Sequence, residues 1–293
     1  MERSRKWARD PRLWVEVFAL TNLAGLAVDI YLAHMTNHFR HSVEYIPLVF
    51  SLAVPLLLVP GILLREVWSR PAAWRVLGYV TGWLSIAIGV AGVVYHLESR
   101  FFQDLTLASL VYAAPFAAPL SYTGLGFLLI LNRMVDAESR EWAMWVVLLA
   151  LGGFIGNFLF SVTDHAQNGF FHRTEWIPVI SSALAVGFLT VIFVIPVDRR
   201  YLRVCAGIMF LQAAVGLLGF YLHGVADLRK SAPSLIDKVV FGAPLLAPLL
   251  FPDLVLLSFI GLWALSRHLP ERANSPAASS TPETVHPAEQ PAA

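Results

Sequence analysis

The chain has little charge and almost no cysteine. Only 14% of its 293 residues are Asp, Glu, Lys or Arg, against about 25% in soluble domains. A single cysteine, Cys205, excludes an intrachain disulfide and any iron–sulfur or zinc site built on cysteine. The Cys-x-x-Cys-His motif for covalent haem attachment is missing. So are a phosphate-cradling glycine loop, a dinucleotide fingerprint, a serine-hydrolase elbow and a paired-carboxylate glycosidase signal. Chemistry driven by ATP within this chain is therefore not expected. A net charge of +1 gives no field that would attract nucleic acid.

What is present is apolar. Hydrophobic residues make up 57% of the chain, and they come in long blocks. A helix needs about 20 such residues to cross a hydrocarbon core about 30 Å thick. Eight runs qualify: Leu13–Ala33, Tyr45–Leu64, Val76–Tyr95, Leu105–Leu131, Trp142–Val162, Trp176–Val197, Leu202–Leu222 and Val239–Leu265. A membrane β-barrel would instead show segments of about ten residues with alternating polarity. The expected fold class is all-α, a polytopic transmembrane protein of eight helices whose main partner is the lipid bilayer.

Lys and Arg set the orientation. With the N-terminus inside, inner segments hold 15 of the 21 basic residues and outer loops hold 6: Arg40, Arg100, Arg173, Arg229, Lys230 and Lys238. The positive-inside rule then puts both termini in the cytoplasm of a cell whose inner (plasma) membrane holds the protein. Trp14, Trp74, Trp142, Trp145, Trp176 and Trp263 lie at run ends, the headgroup level that amphipathic rings prefer. The first run has the basic start of a signal peptide. It is longer than a signal core and carries Glu16, Asn22 and Asp29, so it reads as a permanent helix. Residues 1–12 form a basic cytoplasmic N-terminus. Residues 268–293, rich in Pro, Ala, Ser and Glu, read as a disordered cytoplasmic tail.

Between these ends the chain repeats itself. HMTNHFRHSVEYIP from His34 matches HAQNGFFHRTEWIP from His165 at a constant offset. His34, Asn37, Phe39, His41, Glu44 and Pro47 meet His165, Asn168, Phe170, His172, Glu175 and Pro178. Further on, AAPFAAPL at Ala113 matches GAPLLAPL at Gly242. Two four-helix units are expected, residues 13–134 and 141–267. Four is even, so both copies have the same orientation, and pseudo-two-fold symmetry about the membrane normal follows.

The candidate site lies where four histidines share one depth. His34, His96, His165 and His223 end the first, third, fifth and seventh runs. They lie 22, 21, 24 and 20 residues from Arg12, Arg75, Glu141 and Arg203 on the inner side. At about 1.5 Å per residue each has crossed the core, which places all four in one outer layer. These four are the candidate ligands for haem. His41 with Glu44, and His172 with Glu175, add a His-x-x-Glu pair to each copy. Residues three apart share a helix face, so these four are the candidate ligands for a transition metal. His38 adds a His-x-x-x-His spacing in the first copy, but Gly169 stands at its position in the second, so it is outside the shared design.

Prolines and buried acids complete the pattern. Pro115 and Pro119 enter the fourth run, and Pro244, Pro248 and Pro252 the eighth. Each removes an N–H and frees a carbonyl one turn earlier, and in lipid that carbonyl needs a partner. Pro252 lies too deep to belong to a helix start. Asp29, Asp164 and Asp253 are intramembrane acids, which face a bundle interior or water. Glu16, near the inner end, reads as a headgroup-facing acid.

The leading expectation is a duplicated outer-face His/Glu site that binds haem or a transition metal for membrane redox chemistry, with a redox partner or another membrane subunit. The alternatives are a small-solute transporter or receptor, using the pseudo-symmetric interface and its broken helices, and a structural subunit of a membrane complex.

Overall fold

The computed structural model describes residues 9–63 and 71–270. Arg3, Arg5, Lys6, Arg65, Arg70 and Arg272, and all but the first residues of the expected tail, lie outside them. All regular structure among the described residues is helical. Eight longer helices make the body: α1 (Pro11–Met35), α2 (Tyr45–Leu63), α3 (Pro71–Glu98), α4 (Leu120–Met134), α5 (Arg140–Gln167), α6 (Trp176–Val194), α7 (Arg199–Arg229) and α8 (Leu250–Ser266).

Local chemistry starts these helices where the apolar runs begin. Asp10 caps α1 by accepting from the Arg12 and Leu13 N–H groups, and Pro11 fills the first helical position. Ser139 caps α5 through the Trp142 N–H, and Asp198 caps α7 through the Tyr201 N–H.

Seven described segments are long and apolar enough to cross a membrane. The expected fourth span is the exception. The run Leu105–Leu131 is not one helix: short helices at Phe101–Asp104 and Leu107–Val111 lead into turns, and α4 begins only at Leu120 with 15 residues. The run Val239–Leu265 is likewise split into Leu235–Val240, a turn, a 3-10 turn at Ala247–Leu249, and α8. Pro115 and Pro119, and Pro244 and Pro248, which cannot donate to a helical ladder, lie in these broken stretches, whereas α2 continues through Pro55 and Pro60. Since α8 starts at Leu250, Pro252 lies in its first turn, where no donor is needed. It is therefore a helix-start proline, contrary to the expectation from sequence.

The broken stretch and α4 together run antiparallel to α3. Gly78 lies against Arg133, Gly82 against Ile130, Gly89 against Thr123, Gly92 against Pro119, and His96 against Pro115. From Gly78 to His96 is about 27 Å of helix. Gly82 and Gly126 let the two backbones meet, since a Cβ on either would run into the other's carbonyl oxygen.

Helices α1, α4, α5 and α8 are central. In each group of four, consecutive helices pack together, α1 also meets α4, and α5 meets α8. The groups join through α4 against α5 and α1 against α8. The core sits on these four helices, with Val15, Leu23, Leu129, Val146, Phe154 and Leu265 fully enclosed. Leu56, Trp83, Ile180 and Phe210 on the other helices are exposed, as a lipid-facing surface requires.

At the end of the bundle away from the histidines an ion pair is buried. Arg133 Nη1 and Nη2 donate to Glu16 Oε2 and Oε1, both at 2.6 Å. Asn132 Nδ2 also donates to Glu16 Oε2 at 3.1 Å, and Trp142 Nε1 donates to Asn132 Oδ1 at 3.3 Å. Glu16 therefore does not face the headgroups, and Trp142 is fully buried rather than interfacial. Trp14, Trp145, Trp176 and Trp263 keep exposed rings.

Candidate functional site

The site is built by the turn after α1 and the turn after α5. Past Met35 the chain reverses. The Phe39 N–H donates to the His34 carbonyl at 3.0 Å, with His38 and Phe39 in the left-handed region at φ 58° and 50°. Past Gln167 the Phe170 N–H donates to the His165 carbonyl at 3.0 Å, with Gly169 and Phe170 at φ 65° and 51°. His38 is thus beyond the helix end, and its spacing to His34 is not a helical one. The reversal stacks Phe39 on Tyr45 at 4.5 Å and Phe170 on Trp176 at 4.0 Å between ring centres.

Each reversal returns a carboxylate to the histidine. Single 3-10 turns at Ser42–Glu44 and Arg173–Glu175 carry the two glutamates. Glu44 Oε2 lies 3.2 Å from His34 Nδ1, and Glu175 Oε2 lies 3.9 Å from His165 Nδ1. The other oxygens are held: Asn37 Nδ2 donates to Glu44 Oε1 at 3.1 Å, and the His172 N–H donates to Glu175 Oε1 at 3.3 Å. Both Oε2 atoms are buried and have no partner in hydrogen-bonding geometry.

The second histidine of each pair is fixed by the broken stretch. His96 Nδ1 lies 2.9 Å from the Pro115 carbonyl oxygen, and His223 Nδ1 lies 3.0 Å from that of Pro244. Pro119 and Pro248, four residues on, cannot donate to these carbonyls, which also accept from the Ala118 and Ala247 N–H groups at 3.1 and 3.2 Å. The prolines and the histidines, separate features in the sequence, thus meet in one hydrogen bond. A carbonyl only accepts, so Nδ1 carries a proton, and whenever the ring is neutral its Nε2 is the acceptor or ligand.

The rings come together in pairs across α1 and α3 and across α5 and α7. His34 and His96 have ring centres 6.4 Å apart with planes at 65°; His165 and His223 are 6.5 Å apart with planes at 87°. All four rings are half-buried. His41 and His172 are exposed. Each precedes its helix, as α2 and α6 begin at Tyr45 and Trp176, so the expected helical face shared by His41 with Glu44 and by His172 with Glu175 does not form. Glu44 and Glu175 turn instead to His34 and His165. Among the described residues, no three His, Cys, Asp or Glu side chains converge closely enough to hold a metal ion as they stand.

Asp164 lies within electrostatic reach of His165, His223 and Glu175. It lies in a shallow surface depression with Thr163, Gln167, Pro115 and Phe116, where the two groups of helices adjoin. Asp253 accepts from Asn22 at 2.9 Å, across the α1–α8 contact. Asp29 lies on the same face of α1 as Asn22 and is half-buried.

The sequence reading missed the polar groups that secure the broken stretches. Ser99 Oγ accepts from the Ala114 N–H at 2.9 Å, and buried Asp227 accepts from the Ala243 N–H at 2.6 Å. Gln167 Nε2 donates to the Val111 carbonyl at 2.9 Å. Ser99 and Asp227 stand three and four residues past His96 and His223. That position, one turn beyond each histidine, was the available signal. No protein-family model, curated protein or solved structure matches the chain.

Proposed function

We propose that the chain is a cell-membrane protein of eight crossings. Its two four-helix repeats have the same orientation, both termini are cytoplasmic, and a His–His–Glu site lies in the outer layer of each repeat. The fourth crossing is completed by the proline-broken stretch ahead of α4. The central α1, α4, α5 and α8, with the junctions α4–α5 and α1–α8, are the arrangement a pseudo-two-fold axis would give.

The more particular reading is that each site binds a transition metal ion and serves redox or metal chemistry at the outer face. One observation carries it: at both sites each imidazole has its Nδ1 directed at a carboxylate or a backbone carbonyl. Such outer-shell partners orient metal-ligating histidines and leave Nε2 for the ion. The Glu44 and Glu175 carboxylates supply an anionic group beside each pair. Ring centres of two imidazoles on a tetrahedral ion are about 5 Å apart, given metal–nitrogen bonds of about 2.0–2.1 Å. The observed separations, 6.4 and 6.5 Å, are about 1 Å wider than that. His41 and His172 stand outside this reading.

Haem iron is the second reading. Two axial imidazoles across an iron have ring centres about 6 Å apart, close to the observed 6.4 and 6.5 Å. Solute passage along the junction of the repeats draws support from a different place, the Asn22–Asp253 bond between α1 and α8.

An absorption spectrum and metal analysis of detergent-purified protein test the proposal. A stoichiometric metal without a Soret band is expected, and alanine at His96 and His223 is expected to remove it. A Soret band would transfer the site to haem. Metal-free, colourless protein that takes up neither would overturn the reading.

A further inference from the structure

Asp253 stands apart from the histidine layer. Its neighbour Pro252 packs against Gly216 of α7, seven residues before His223, which is about 10 Å below the layer. Asn22 is twelve residues before His34 on α1, about 18 Å below it. Their contact therefore lies in the middle third of a hydrocarbon core about 30 Å thick, between the first four helices and the last four.

The contact has a fixed direction. Asn22 Nδ2 donates to the Phe18 carbonyl at 3.0 Å as well as to Asp253 Oδ1 at 2.9 Å. A carbonyl can only accept, so the amide nitrogen is the atom that faces Asp253. Among the described residues, Asp253 makes no other hydrogen bond and no ion pair. Of the elements packed against α8, α5 and α7 bring no charged side chain to that depth. On α1 the only one is Asp29, another acid, one face-repeat nearer the outer layer. Among the described residues, no cationic side chain balances this carboxylate. The buried inner pair shows the alternative, for Glu16 is matched by Arg133. An intramembrane carboxylate without a counter-ion is held neutral by something it takes up.

We infer that Asp253, oriented by Asn22, is an exchangeable site for a single positive charge, a proton or a sodium ion, at the junction of the two groups of helices. One oxygen is held by the amide, and the other, Oδ2, is left for the incoming charge. Asp29, half-buried, lies seven residues nearer the histidines on the face of α1 that carries Asn22. The site does not depend on whether the histidines bind metal, and the full chain can be tested for it with the metal analysis as a separate readout.

The test is labelling of the purified protein in liposomes with dicyclohexylcarbodiimide, a lipid-soluble reagent that modifies protonated carboxyls. Peptide mass spectrometry then locates the adduct. Asp253 is expected to be modified, several-fold more at mildly acidic than at mildly alkaline pH, and Asp253→Asn to abolish that adduct. Asn22→Ala removes a donor that favours the charged form, so it is expected to raise labelling at alkaline pH. If the ion is sodium, replacing choline with sodium suppresses the adduct; if it is a proton, the two salts give equal labelling at each pH. An unmodified Asp253 in every condition, in protein that elutes as a folded species, would overturn the inference. So would labelling indifferent to both pH and sodium.

Discussion

Glu16→Gln isolates the buried ion pair at the inner end. The substitution keeps the side chain's shape and removes its charge. The carboxylate and guanidinium side chains are only 3% and 9% exposed, and two 2.6 Å hydrogen bonds join them in a fork. With the charge gone, Arg133 keeps the Leu129 carbonyl at 3.0 Å as its other partner. Removing one member of such a pair costs about 3–5 kcal/mol, because a charge is left buried and uncompensated. That is roughly a hundredfold to a few thousandfold in the unfolding equilibrium. Replacing both, Glu16→Leu with Arg133→Met, is expected to restore most of the loss, since apolar side chains of similar volume fill the space without the desolvation penalty. The assay is reversible SDS-driven unfolding in mixed micelles followed by tryptophan fluorescence. Trp142, bonded to Asn132 in the same network, reports on it directly. A Glu16→Gln protein within about 0.5 kcal/mol of the parent would refute the reasoning, as would a double variant no more stable than the single.

Other outcomes are expected at the outer layer and in the helix contacts. Glu44→Gln and Glu175→Gln are each expected to weaken metal binding about 10–100-fold at their own site, read by competition with a chromogenic chelator; unchanged affinity would remove the glutamates from the site. A reporter fused after Arg200 is expected to stay cytoplasmic and one inserted near Gln167 to be exported; the reverse pattern would put the histidine layer on the cytoplasmic face. Pro119→Ala restores an N–H four residues after Pro115, so α4 is expected to lengthen by about one turn. Hydrogen exchange of Ala117 and Ala118 would slow, and exchange as fast as in the parent would show that something other than proline breaks the segment. Gly126→Val is expected to destabilise the protein by about 1–3 kcal/mol, because its Cβ would meet the Gly82 carbonyl and Ile86; an unchanged SDS midpoint would mean that α3 and α4 can separate.

Much of the candidate site was legible in the matching blocks of sequence. The blocks at His34 and His165 singled out the histidines, the glutamates and the phenylalanines of the reversals, which the structure brings together at each turn. Counting could not give direction. Glu44 reads as a partner of His41 on a helix, yet the helix starts one residue later and the carboxylate turns back to His34. The prolines read as a separate kink motif. That Pro115 and Pro244 offer their carbonyls to His96 and His223 depends on two strands of chain lying side by side, which no local pattern encodes.

Composition and run length determined by themselves that this chain is helical and apolar enough for a membrane. The bilayer imposes a length and a hydrogen-bonding rule that act on each segment alone. The same reasoning overcounted unbroken helices, because hydrophobicity is summed along a run while a missing N–H acts at one residue. Tertiary structure alone decided which polar groups meet: Glu16 with Arg133, Asn22 with Asp253, and the histidines in pairs across α1 and α3 and across α5 and α7. Each of these partnerships joins residues far apart in the chain, and its geometry is set by how the helices pack.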